Sequence, residues 1–239
     1  MRTDDPLSIV SVELGARMEN TAISVIHRAW VPTGELFNKV RRDYAAGYAS
    51  GRSRLRSREK ITVEYRVRHL ERRSPPVLYK GIASRVAELV RAVGECVVVI
   101  DLARTSRPVH ALVMNAVLEM IKDSQKPRVS QCPITVTGEY RAVGRSPDVG
   151  WLVPRRHLVS AALLVFESDK LKIAQALDLA EVLTREFTDV KLKAPKEELE
   201  GWRFAKNDDL VLAVAMSVWA AKRFLRKEES VPAEVLGAA

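Results

Sequence analysis

The sequence predicts an α/β domain in which a mixed β-sheet is flanked by helices. Three observations lead there. Strand-like and helix-like segments follow one another along the chain, an order whose natural closure is a sheet with helices packed on it. Cys96-Val97-Val98-Val99-Ile100 is a continuous apolar run ending in Asp101, which suits a strand covered on both faces, as in parallel sheets. Finally, the stretch Leu210 to Trp219 is apolar on nearly every side, and a helix without a polar face is normally buried.

Each element follows from its local pattern. Residues 7–14 alternate like a strand, and residues 21–26 form a second strand after a turn. The Gly/Ser/Arg-rich segment 47–58 predicts a flexible loop within a basic stretch at about 39–60. Residues 61–70 alternate strictly and give a third strand, and Pro75-Pro76 breaks the chain. Ile82, Val86, Leu89, Val90 and Val93 recur at helical spacing with Gly94 as a stop. After the strand that ends at Asp101, residues 108–122 read as a helix with Pro in its first turn. Residues 133–138 read as a short strand, and 139–150, with Gly138 just before it and Pro147 within it, as a loop. Helices are expected over 154–167 and 174–189, a polar linker over 191–201, and a last helix from Asp208-Asp209 to about residue 227. No repeat or clear linker divides the chain, which predicts one domain over 1–227 and a loose tail over 228–239.

Composition narrows the class. The 239 residues suffice for a substantial core. No apolar run approaches the length of a membrane span, and the first residues lack a signal-peptide layout. Cys96 and Cys132 lack the spacing of a zinc site or a disulfide framework, which predicts a reducing compartment. The formal charge is +9, and between Lys39 and Arg73 twelve Lys/Arg face four acids. A net +8 concentrated in one segment fits phosphate-backbone contact, with Arg52, Arg54, Arg56 and Arg58 as candidates. The plainer reading is a solvated charge run or a localisation tag.

The acidic residues carry the chemical signal. Glu13 and Asp101 each end an expected strand, and ligands in open α/β sheets collect outside such ends. Asp208 and Asp209 open the apolar helix. As a helix start they suit capping and the positive end of the dipole. As a pair at the mouth of a buried helix they equally suit half of a cation site, since buried Asp is paired or metal-bound. Carboxylates from distant segments would suit Mg²⁺ or Mn²⁺, and a two-metal site would suit phosphodiester cleavage. Each residue also has a plain alternative: Glu13 as a solvent-facing strand residue, Asp101 as the cap of the next turn. His69, His110 and His157 form no catalytic pattern, and Trp151, Trp202 and Trp219 read as core or rim packing. Arg155, Arg156 and Arg203 are further candidates for contact with a phosphate backbone.

These residues resemble the nuclease domain of the large terminase subunit of tailed phages, a branch of the RNase H-like superfamily. Val10-Ser11-Val12-Glu13-Leu14-Gly15 is similar to its first strand, which normally ends in Asp-Leu-Gly or Asp-Pro-Gly. Val98-Val99-Ile100-Asp101, followed by Arg107-Pro108-Val109, is similar to its second acidic strand and the helix after it. Residues 153–161 and 171–174 resemble a helix-and-turn region of terminase-like genes, and residues 202–213 resemble the closing motif, usually His-Asp-Asp-Leu-Val. The resemblance implies an endonuclease cutting double-stranded DNA with two Mg²⁺ or Mn²⁺ ions during genome packaging. By motif, Glu13 takes the place of the bridging carboxylate, Asp101 holds one ion, and Asp208 with Asp209 supplies the third ligand and its neighbour. It further implies a phage or prophage protein in the bacterial cytoplasm, with a packaging ATPase, portal or small terminase subunit as partners. Three departures stand out: Glu13 replaces Asp, residues 102–106 replace a Gly-rich turn, and Asn207 replaces His. The longer Glu13 would strain octahedral Mg²⁺ geometry, which predicts weakened activity. No G-x-x-x-x-G-K-[ST] phosphate loop occurs, so the packaging ATPase half is expected to be missing, the chain being either a free-standing nuclease-like protein or one piece of a split gene. The alternatives are a catalytically weakened RNase H-like DNA-binding protein, a resolvase-like nuclease acting on branched DNA, and a scaffold whose Arg/Ser loop docks a protein.

Overall fold

The computed structural model describes residues 7–15, 19–32, 61–76, 78–101, 103, 107–122, 129–138, 142–146, 150–193 and 208–224. The basic loop with Arg52, Arg54, Arg56 and Arg58 lies outside these residues, as do the 102–106 turn apart from Ala103, Trp202, Arg203, Asn207 and the tail.

Among the described residues eight strands form one sheet: β1 (Leu7–Glu13), β2 (Thr21–Pro32), β3 (Ile61–Arg73), β4 (Cys96–Asp101), β5 (Val129–Thr137), β6 (Gly144–Ser146), β7 (Gly150–Pro154) and β8 (Leu171–Ile173). Their order is β6-β7-β5-β4-β1-β2-β3-β8. β1, β2 and β3 form an antiparallel meander, whereas β4 runs parallel to both β1 and β5. Burial on both faces explains the unbroken apolar run of β4, all six residues of which are buried. Helices α1 (Tyr79–Val93) and α2 (Arg107–Ile121) cover one face; α3 (Arg155–Glu167), α4 (Ala180–Lys193) and α5 (Asp209–Phe224) cover the other.

α5 is the centre of its layer. All residues from Asp209 to Ala221 are buried, so the expectation from its lack of a polar face holds. Its lone interior hydroxyl, Ser217, joins a buried network in which Ser24 Oγ lies 3.2 Å from Ser217 Oγ and 2.8 Å from Ser11 Oγ. Ser11 Oγ also donates to the Ala213 carbonyl at 2.6 Å. These bonds satisfy polar groups that would otherwise be costly inside the core, and they fix α5 over β1 and β2.

Several boundaries differ from the sequence expectations. The second strand runs on to Pro32 and the third to Arg73. The third does not alternate strictly: Val25 pairs with His69 and Ile26 with Val67, leaving Arg68 as a bulge. One extra residue reverses the face of everything after it. Tyr65 and Val67 face α5 before the bulge, and Leu70 and Arg72 do so after it. The expected loop over 139–150 contains β6, and β7 precedes α3. Residues 171–173 are strand β8, and α4 starts at Ala180 rather than 174, reaching Lys193. Strands of three to five residues are too short to show a period of two, which is why they escaped notice. β5 begins at Val129, ahead of Pro133. At Gly150 the start of β7 passes close to Pro133 of β5: its φ is +70° and a Cβ there would lie 2.3 Å from the Pro133 carbonyl oxygen.

Candidate metal and nucleic-acid site

The candidate acids meet at one end of the sheet. Val12 pairs with Ile100, so the next residues, Glu13 and Asp101, lie side by side on parallel neighbours. Glu13 pairs onward with Ala22, and Ala22 with Arg72. One lateral row therefore reads Asp101, Glu13, Ala22, Arg72. Alternation turns all four toward α5: Ile9, Ser11 and Glu13 share a face, as do Val97, Val99 and Asp101. Adjacent strands stand about 4.8 Å apart, so the two carboxylates are near neighbours. Glu13 is 2% exposed and Asp101 1%.

Local structure holds both in place. After β1 the chain turns at Gly15, where a Cβ would sit 2.3 Å from the Asn20 carbonyl oxygen; Gly15 N–H donates to Thr21 Oγ1 at 3.1 Å. That tight return keeps Glu13 at the strand end. Asp101 Oδ1 accepts from Ala103 N–H at 2.8 Å and from Val136 N–H at 3.1 Å. The cap reading of Asp101 is thus correct as far as one oxygen goes. Glu13 is buried, so the solvent-facing alternative for it is excluded.

The acids that open α5 stand over the same face. Asp208 is the residue before the helix, and its carbonyl accepts the first helical bond, from Leu212 N–H at 2.9 Å. Its side chain pairs with Arg155 of α3. Asp209 Oδ2 accepts from Arg72 Nε at 2.6 Å, and the same guanidinium bonds Glu186 of α4. Neither Arg72 nor Glu186 was among the sequence candidates. Glu186 did leave a signal, as an acid within the apolar stripe Leu183, Phe187 and Val190; Arg72 was hidden by the bulge. Burial pushes the Glu186 carboxyl up to about 7, and the negative charge of Asp209 adds to this. Bonds from Arg72 and the Val211 backbone oppose the rise without cancelling it. Burial likewise pushes the Cys96 and Cys132 thiols up to about 12, and both are free and buried.

The remaining candidates are scattered. Arg156 is partly buried and His157 exposed at the start of α3. Trp151 and Trp219 pack edge to face at 5.9 Å between ring centroids, as expected of core or rim residues. Among the described residues no three His, Cys, Asp or Glu side chains converge in a ready ligand cluster. What the arrangement offers is two adjacent buried carboxylates and a second acidic pair, at the same end of the same face, held by arginines. Among the described residues no helix is long and apolar enough to cross a membrane.

No protein-family model matches the sequence, and no curated protein matches it. Solved structures do. The nuclease domain of the human cytomegalovirus terminase is matched at a TM-score of 0.54 and 12% identity, over 92% of this chain and 85% of that one. The large terminase nuclease of the thermophilic phage G20c is matched at 0.43 and 14% identity, over 90% and 84%. At such identities the likeness speaks for architecture, and function has to be argued from the site. With its mixed eight-stranded sheet between two helical layers, the chain has the fold of a terminase nuclease domain, an RNase H-like α/β fold.

Proposed function

We propose that the chain is a divalent-metal-dependent endonuclease for double-stranded DNA, of the kind used in phage genome packaging. The observation that carries this reading is the pairing of Glu13 and Asp101, 2% and 1% exposed, on neighbouring parallel strands beneath the acidic start of α5. Two carboxylates so close and so dry repel one another, and a shared cation relieves that repulsion. The donors are oxygens from carboxylates, which suit Mg²⁺ or Mn²⁺ rather than softer ions. Glu13, Asp101 and one of the α5 acids would hold the ion, which would neutralise phosphate charge during hydrolysis. The protein's own part is positioning. The N–H groups of Ala103 and Val136 orient Asp101, the Gly15 turn orients Glu13, and Arg155 and Arg156 at the start of α3 are the arginines that would meet the DNA backbone. A packaging ATPase, portal or small terminase subunit would be the partner in that role.

Plasmid incubated with the purified chain and Mn²⁺ should be nicked or linearised, and Asp101→Asn should abolish this. The absence of cleavage with any divalent ion would remove the reading. One observation favours a second reading, that of a weakened centre which binds DNA without cutting. Asp208 and Asp209 already have arginine partners, so that limb of the site is neutralised without metal. This version predicts salt-sensitive DNA binding unaffected by EDTA.

A further inference from the structure

The two acids at the start of α5 are adjacent in sequence, yet they are held in different ways. Asp209 is tied to a guanidinium that comes from the sheet and has a second acid on its other arm: Arg72 Nε donates to Asp209 Oδ2 at 2.6 Å while its terminal nitrogen bonds Glu186. The side chains of this bridge are 10% exposed at Asp209, 10% at Glu186 and 19% at Arg72. It joins β3, α4 and α5. Asp208 has one arginine partner, Arg155, on α3.

We infer that Arg72 is a positioning residue which pins Asp209 to the sheet, leaving Asp208 as the α5 acid that serves a divalent ion, with Arg155 as the cation it exchanges. The inference rests on the metal-dependent reading above and divides the acidic pair within it. Three features support the division. A planar guanidinium bonded through two different nitrogens to two acids is fixed in geometry. Removing it would strand two buried carboxylates, and with Oδ2 held by Arg72 the Asp209 side chain can swing toward an ion only by breaking the joint between three elements. By contrast, Asp208 precedes the helix, and its release from Arg155 leaves the Arg72 bridge untouched.

Calorimetric titration with MnCl₂, together with thermal unfolding in EDTA, tests this on the full chain. Asp208→Asn should weaken Mn²⁺ binding by about tenfold or more, the loss typical of a metal site short of one support. Arg155→Met should tighten it, because a competing cation is gone. Arg72→Met should lower the Tm by about 10 °C, as expected for a broken buried ion pair in a chain of this size, and Asp209→Asn by less, because Arg72 keeps Glu186 as a partner. The double variant should fall little further than Arg72→Met alone, and Mn²⁺ binding measured well below the Tm should suffer less in Asp209→Asn than in Asp208→Asn. Loss of Mn²⁺ binding in Asp209→Asn at unchanged Tm would overturn the division, as would additive Tm losses in the double variant. If the wild-type chain binds no Mn²⁺, the metal-dependent reading fails, and the unfolding data alone still decide whether Arg72 pins Asp209.

Discussion

The last residues of β3 serve two ion clusters, one on each face of the sheet, and their stoichiometries are opposite. Toward α1, a single acid, Glu71, receives Arg85 Nε at 2.7 Å and Arg73 Nε at 2.6 Å, with His69 Nε2 at 3.2 Å. Toward α5, a single cation, Arg72, serves two acids, Asp209 and Glu186. Burial opposes ionisation in both places. For Glu71, hydrogen bonds from Arg85, Arg73 and His69 outweigh that penalty and hold the carboxyl at about 2. For Glu186, burial wins and the carboxyl sits at about 7. Depth of burial and donor count together decide the outcome. In the first cluster one acid has three donors, whereas in the second two acids share one guanidinium.

Substitutions can break this contrast. Arg72→Met should have the largest effect, because it strands two acids in the core; unfolding in urea should reveal a loss of about 3–5 kcal/mol. Glu71→Gln should cost less at neutral pH, about 1 kcal/mol, since its partners reach solvent and are screened. The pH profiles sharpen the comparison. The Glu71 carboxyl is lowered on folding, from an ordinary 4.5 to about 2, so the stability it contributes is present above 4.5 and is lost as pH falls toward 2. In the variant that acid limb should be shallower. Glu186 is raised on folding, from 4.5 to about 7, so its contribution is present below 4.5 and is lost as pH rises through 7. Glu186→Gln should therefore flatten stability between pH 4.5 and 7, with a gain of about 1 kcal/mol at pH 8 as the smallest effect. Equal slopes in wild type and variant would show that Glu186 does not titrate there.

The acids at strand ends were legible because an apolar run leading straight into a carboxylate marks both the strand and its terminus, as at Val99-Ile100-Asp101. The buried helix after Asp209 was legible because it has no polar face. What holds these groups was not. Arg72 follows a bulge at Arg68, and simple alternation over β3 would have placed Glu71 under α5 instead. Glu186 showed as an acid within the apolar stripe Leu183, Phe187 and Val190, but nothing in the pattern named its arginine, and β7 and β8 are too short to carry a pattern. The site thus depends on one irregular residue that no periodicity reveals.

α5 follows all eight strands in the chain, yet it fills the middle of one layer and bears the Asp208–Asp209 limb at its start. A nascent polypeptide emerging from the ribosome as far as Lys193 has every strand but a bare apolar surface where α5 will dock. Glu13 and Asp101 then face water, without the acids that complete their surroundings. Docking of one late segment both closes the core and brings Asp208 and Asp209 to the sheet, so the two acidic pairs stand over the same face only once that segment has been made.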